Sequence, residues 1–358
     1  MRLYKWELIK LISAPAMWIF LALCIAFNIV IMMSESYGAA DASALSRELA
    51  RTGETRYAGV DDIFGRYDTK YLGDVFVREF KLRGGAETLM RQKYQKLQAS
   101  VDRNAETGFG LDIYAGEYTG DYVHRTLFKS AIFLLFTEAA LFALLAALYT
   151  LGYEHLQKTE LIVYASGTGR KITRHKRAVA LTVAAGGFIL LAALTLAVYF
   201  TIWDYSGFWR ASVQSANNYL FDEAGKRPFI TWANLNVAQY LAAVLTLGFA
   251  LTVVFSLVGS FAGLLTRNTY MGFILVLLIC VAVITAIVFC ANAGFGWAMF
   301  ALLFSPVAAW ISSSRWLTDM GSWGVVPYHE TVTIALNLLL FSALTILAAR
   351  RFTRKDVQ

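Results

Sequence analysis

Few residues in this chain have the type and spacing to do chemistry. The four histidines, His124, His155, His175 and His329, are isolated from one another, and no H-E-x-x-H occurs, so no metal-hydrolase helix is encoded. The nearest approach to a phosphate-binding G-x-x-x-x-G-K-[ST] loop is Gly167-Thr168-Gly169-Arg170-Lys171, which has the wrong spacing and no strand before it. ATP hydrolysis by that route is excluded, and the chain is expected not to be an enzyme. Cys24, Cys280 and Cys290 all fall in apolar stretches without metal-ligand spacing or a disulfide pattern, and read as small packing residues. Glu138 is the one carboxylate well inside an apolar stretch. Burying it ionised at bilayer depth costs at least roughly 2.5 kcal/mol, so it is expected to face protein or water. It is a candidate for a translocation path or a proton-sensitive group, with a hydrogen-bonded structural acid as the alternative.

The densest set of polar residues is the segment YEHLQKTELIVYASGTGRKITRHKRAVAL, residues 153–181. Glu154 and Glu160 offer carboxylates to the basic groups of a partner, while Arg170, Lys171 and Arg174 suit acidic groups or lipid phosphates. The simpler reading of the same cations is charge that fixes topology.

The elements that must position these residues follow from composition. Of the 358 residues 58% are hydrophobic and only 16% charged, against roughly 45–50% apolar in soluble chains. The uncharged stretches reach the ~20 residues needed to cross hydrocarbon. Six spans are expected at 16–33, 130–151, 178–203, 237–265, 271–291 and 331–349. A seventh apolar stretch, 294–311, is short and carries Pro306, and reads as a re-entrant segment rather than a crossing. Residues 1–15 read as an interfacial amphipathic helix ended by Pro15, with Trp6 at headgroup depth. The net charge of +7 lies beside the apolar spans, which argues for membrane topology and against a nucleic-acid partner.

Lys158, Arg170, Lys171, Arg174, Lys176 and Arg177 in the 152–177 loop, the basic N-terminus and the basic tail 350–358 all belong on the cytoplasmic side by the positive-inside rule. Six crossings then place both termini inside. The 34–127 segment becomes an extracytoplasmic domain, expected to be mostly helical around Ala42–Arg51 and Glu87–Arg103, with turns at Gly84-Gly85 and from Gly108 to Gly120. The 204–234 loop carries Trp203, Tyr205, Phe208, Trp209 and Trp232, an aromatic set expected to anchor at a membrane interface.

The 153–181 segment resembles the type 2 ABC exporter permeases, in which the second span leads into a coupling helix of the form E-x-x-x-G-T-x-E-x-L, a small turn, and a Gly-Arg pair before a Lys. Glu154, Thr159, Glu160 and Leu161 match the first part, Ser166 and Gly167 the turn, Gly169-Arg170 the pair, and Lys176 the last position. Lys158 stands where that family usually has Gly, and the turn lacks its common Pro.

The resemblance implies an all-α membrane subunit of an ATP-driven exporter that pairs with a second permease copy, the same or related. It implies coupling through Glu154, Thr159, Glu160, Leu161, Gly169, Arg170 and Lys171 to a separate ABC ATPase subunit. No cofactor is expected on this chain, ATP and Mg being bound by that partner. The expected location is a cell membrane, multi-pass, of bacterial plasma-membrane type. The rival readings are a membrane receptor or assembly factor whose outer domain binds a ligand, and an ion-coupled secondary transporter using Glu138, although the chain shows no internal duplication.

Overall fold

The computed structural model describes residues 2–52, 67–107, 123–165, 169–216, 229–320 and 324–354. Their regular structure is helical, and the only β pairing among them is two isolated bridges, Ser212 with Asn236 and Thr231 with Thr318. In chain order the principal helices are α1 (Arg2–Ile12), α2 (Pro15–Ser34), α3 (Ala39–Thr52), α4 (Thr69–Glu79), α5 (Gly85–Thr107), α6 (Ile132–Leu156), α7 (Glu160–Ala165), α8 (Thr173–Ile202), α9 (Val237–Thr266), α10 (Thr269–Ala293), α11 (Gly296–Leu303), α12 (Pro306–Ile311) and α13 (His329–Arg354). Six of them, α2, α6 with the wide turn Arg125–Ala131 before it, α8, α9, α10 and α13, are long and apolar enough to cross a membrane. The chain is a multi-pass membrane protein.

The expected spans end too early where charge begins. Hydropathy stops the second near residue 151 and starts the third at 178, but α6 runs on to Leu156 and α8 begins at Thr173. Glu154 and Lys176 therefore sit within span helices, and the connection shrinks to residues 157–172. The two charges neutralise each other inside the fold, so the helices continue past the point where an unpaired charge would have ended them.

α6 is the central element. Its apolar residues surround it on all sides, and 72% of its most apolar window is buried, against 17% for α10. α8 and α9 approach it closely because each carries glycine at the contact. A Cβ at Gly187 would collide with the Phe142 ring and one at Gly248 with the Phe136 ring, while one at Gly259 would stand 2.9 Å from the Leu144 carbonyl oxygen. Small residues at crossing points are the usual route to tight helix packing in membranes, where water expulsion cannot drive it.

α3, α4 and α5 lie at the end of the bundle away from α7. α4 and α5 pack on each other, with Phe76 stacked on Tyr94 at 5.6 Å, and together they turn a shared apolar face onto the spans. In α3, the Ser43 hydroxyl accepts from the Asp204 amide at 3.1 Å and Ser46 from the Gly207 amide at 2.9 Å. Phe76, Phe80, Tyr94 and Leu97 of the α4–α5 pair share one apolar cluster with Ile287, Met299 and Phe300. The 34–127 segment thus has no separate core among the described residues. Its expected helices correspond to α3 and α5, whereas residues 108–120 lie outside the described set.

The aromatic set of the 204–234 loop is corrected by the structure. Trp203, Tyr205, Phe208 and Trp232 are buried in protein, and Trp209 is half-buried. Trp203 stacks on Tyr199 with ring centroids 4.8 Å apart, and the Trp232 indole donates to the Thr318 carbonyl at 2.7 Å. The far-end helices supply a protein surface that a bare membrane loop would lack, so these rings are core rather than anchors.

His124 belongs to the same aromatic core. It is edge-on to Tyr205 and Phe208, with its Nδ1 2.5 Å from the Tyr205 hydroxyl oxygen. Burial pushes its pKa down to about 3. A histidine neutral in the fold and protonated when unfolded stabilises fully above pH ~6.5 and loses that contribution as pH falls towards 3. Chemical unfolding followed between pH 7 and 4 is expected to show an acid-side loss that His124→Phe diminishes; an unchanged loss would place its origin elsewhere.

Candidate functional site

The polar residues singled out from the sequence gather at the bundle end where α1, α6, α7 and α8 meet. α1 lies against α8, its Tyr4 hydroxyl donating to Thr182 at 2.8 Å. That contact turns Glu7 and Lys10 towards the ends of α6 and α8. The Lys10 ammonium lies 2.6 Å from Glu7 and 3.4 Å from Glu154. Lys176 pairs closely with Glu154, stands 3.8 Å from Glu7 and donates to the Thr150 carbonyl at 2.7 Å. Two carboxylates and two ammoniums therefore alternate in a compact cluster with no net charge. Glu154 and Lys176 are each 2% exposed. Burial opposes the charge on Lys10, but the Glu7 and Glu154 carboxylates outweigh it and lift its pKa above the ordinary lysine value.

Glu154 is consequently turned inward. Expected as a carboxylate offered to a partner, it instead joins three segments that are distant in sequence. Glu7 and Lys10 carry no site signal in the sequence, since alternation along α1 reads only as an amphipathic face. Their pairing with residues more than 140 positions away leaves no local signal.

α6 ends in a well-formed stop. The Thr159 amide donates to the Glu154 carbonyl at 2.9 Å and the Lys158 amide to the His155 carbonyl at 3.1 Å, the two bonds of a Schellman cap. That cap needs a left-handed residue between them, and Lys158 fills it with φ 55°. This is why glycine suits the position, where Lys158 carries a Cβ strain that glycine would not. Lys158→Gly is expected to raise the stability slightly, by up to about 1 kcal/mol, read as a higher unfolding midpoint; a fall would show that the lysine side chain makes a contact worth more than the strain.

The cap sets the direction of α7. Thr159 begins the helix, its carbonyl accepting from the Val163 amide at 3.1 Å. Glu160 reaches back to His155, with Oε2 3.2 Å from Nδ1. Leu161 and Ile162 then point away from the bundle, 73% and 74% exposed. Residues 166–168, the expected small turn, lie outside the described residues. Gly169 follows with φ 50° and opens the tight turn Gly169–Ile172, which contains Arg170 and exposed Lys171 and leads into α8.

No family model matches the chain, and no curated protein or solved structure does.

Glu138 lies far from this cluster, in the middle of α6. Its Oε2 accepts from the Asn28 amide nitrogen at 2.8 Å, and the same nitrogen is 2.9 Å from the Thr195 hydroxyl. The carboxylate joins α2, α6 and α8 and borders an open groove of about 540 Å³ along α2, lined by Phe20, Leu23, Cys24, Phe27 and Val30. It faces protein on one side and an apolar groove on the other. At the turn after α9, Arg267 takes a left-handed cap with φ 55° and lays its guanidinium 5.3 Å from the Phe352 ring centre. This contact ties that turn to the end of α13. Among the described residues, no group of three or more His, Cys, Asp or Glu is placed to hold a metal ion.

Proposed function

We propose that this chain is the membrane-spanning subunit of an ATP-driven exporter, and that α7 is the element a separate ABC ATPase grips. The observation that carries the reading is the contrast between α7 and its support. A six-residue helix presents two large apolar side chains, Leu161 and Ile162, at a bundle end rich in Lys and Arg. Behind it the chain is fixed by a Schellman cap and a buried four-charge cluster. An exposed apolar pair on a rigid mount suits a partner's groove, because the bound conformation needs little further ordering. The resemblance of 153–181 to the type 2 ABC exporter permeases supports the same assignment. In it Thr159 and Glu160 cap and brace the coupling helix, Leu161 is its contact, and Gly169, Arg170 and Lys171 form its return.

In this reading the α7 end is cytoplasmic, with both termini on that side, and α1 lies at the membrane interface. The α11–α12 pair, broken at Ser305 and Pro306, is the re-entrant segment, and 34–127 is extracytoplasmic. Two permease copies, identical or related, sit over two ATPase subunits that hold ATP and Mg. Closure of the ATPase pair pushes α7, and the cap and charge cluster pass that push to α1, α6 and α8. Glu138, on the groove along α2, lies on the proposed path.

The test is purification of the full chain from its native membrane in mild detergent. An ATPase is expected to co-purify with the wild type and to be lost from Leu161→Asp/Ile162→Asp, with the unfolding midpoint unchanged because these two side chains are exposed, and to be lost also from Glu160→Arg, which breaks the pairing with His155 as well. Absence of an ATPase from the wild type, or its retention by the double variant, would overturn the assignment.

A further inference from the structure

At the opposite end of the bundle from α7, a cavity of about 400 Å³ lies between α10, α12 and the start of α13. Its wall is built from Ile284, Val288 and Ile311, and Val288 and Ile311 are about half exposed on the outer surface of the bundle. The cavity therefore has its rim on the face that hydrocarbon covers. Ile284 stands nine residues before the end of α10, which sets it about 14 Å inside the helix end at 1.5 Å per residue. The slot is thus apolar at depth.

Its other end is polar. Arg315, in the tight turn Ser313–Arg315 after α12, lines the cavity together with Ser314 and His329. Only the main chain of Arg315 is engaged: its amide donates to the Ser312 carbonyl and its carbonyl accepts from the Thr318 hydroxyl. Among the described residues the guanidinium has no hydrogen-bond or ion-pair partner. His329 is fixed with Nε2 3.2 Å from the Leu303 carbonyl oxygen, while its Nδ1 is buried and unpartnered. A guanidinium in such a place ordinarily meets a carboxylate or a phosphate, because its planar fork is shaped for two oxygens.

We propose that this cavity binds an anionic phospholipid entering sideways from the bilayer, with its phosphate on Arg315 and an acyl chain along Ile284, Val288 and Ile311. The apolar depth and lateral rim favour a chain-bearing ligand over a soluble anion. The unpaired guanidinium favours a net negative headgroup over a zwitterionic one, whose phosphate is already balanced by its own cation. The site stands whether or not an ATPase grips α7.

The experiment uses the full chain in nanodiscs containing phosphatidylglycerol or phosphatidylcholine with a photoactivatable group on the acyl chain, and cross-links are mapped by mass spectrometry. Labelling at 284–288 and 311–315 is expected to favour phosphatidylglycerol by about tenfold, the scale of one charge-assisted contact. Unlabelled phosphatidylglycerol should compete and glycerol phosphate should not. Arg315→Gln should remove the preference and Arg315→Lys keep most of it. Val288→Trp, which fills the rim without touching the cation, should lower labelling by both lipids. Equal labelling of the two lipids by the wild type, a preference that survives Arg315→Gln, or full competition by glycerol phosphate would each overturn the proposal.

Discussion

Lys176→Met is expected to destabilise the protein by about 3–5 kcal/mol, the usual effect of removing one member of a buried ion pair. The lysine balances Glu154 at contact distance and Glu7 at 3.8 Å, and both carboxylates are almost wholly shielded from solvent. Its loss leaves two buried acids facing Lys10 alone. The Thr150 carbonyl loses its donor as well. Lys176→Met/Glu154→Gln should recover most of the loss, because an apolar side chain beside a neutral amide leaves no unbalanced charge. Lys10→Gln should cost less than Lys176→Met, since Lys10 is about one-third exposed and water takes over part of its role. Unfolding midpoints of the wild type, Lys176→Met, Glu154→Gln and the double variant in one detergent complete the cycle, and losses that simply add would show that the pair is not coupled. The sign with pH follows from Lys10. Its pKa is raised in the fold, so its contribution is complete below the ordinary lysine value and is lost as pH climbs through the raised one. Alkaline conditions are therefore expected to loosen α1.

Gly248→Val should be the most damaging change at a helix crossing. The added Cβ would enter the Phe136 ring, which cannot swing clear, because Trp316 stacks on it at 5.1 Å and Phe188 at 6.3 Å. Overpacking of a filled core costs typically ~1–3 kcal/mol, and a β-branched residue against an immobile ring belongs at the top of that range. Gly186 supplies the control. A Cβ there meets nothing within 4 Å, so Gly186→Ala should be neutral or gain up to ~1 kcal/mol in helix propensity. Thermal unfolding of the two variants side by side is the measurement. Similar midpoints would mean that the approach of α9 to α6 is not held by its glycine. Phe136→Leu combined with Gly248→Ala should unfold later than Gly248→Ala alone if the ring is the obstacle.

The six spans were readable because bilayer thickness imposes a length of apolar chain that few other structures need. The break at Pro15 and the split at Pro306 were readable for an equally local reason, the missing amide of proline. Helix ends carrying charge were not. Glu154 and Lys176 count as hydrophilic in any window of sequence, and only the partner 22 residues away makes them fit for a core. Within the candidate site, the sequence pointed to the 153–181 segment and to the position where Lys158 replaces glycine, which is where the backbone turns left-handed. It could not distinguish Glu154, which faces inward, from Leu161, which faces outward. That difference depends on where α1 docks, and α1 docks through pairings that no periodicity records. The aromatic loop at 204–234 misled because tryptophan and tyrosine suit both a membrane boundary and a buried corner. The choice between them was made by α3, α4 and α5, which lay apolar surface against that loop and the span ends.

The charge cluster also orders events during synthesis. Glu7 and Lys10 leave the ribosome well ahead of Lys176, the cation that completes their setting, which follows some 170 residues later. Until α8 is inserted, α1 lacks the helix it lies against, and Glu7 and Glu154 have Lys10 as their one cation in the cluster. α1 is therefore made before α6 and α8 but reaches its final position only after both. The region between α6 and α8 becomes rigid only when the two ends of that long stretch of chain have met.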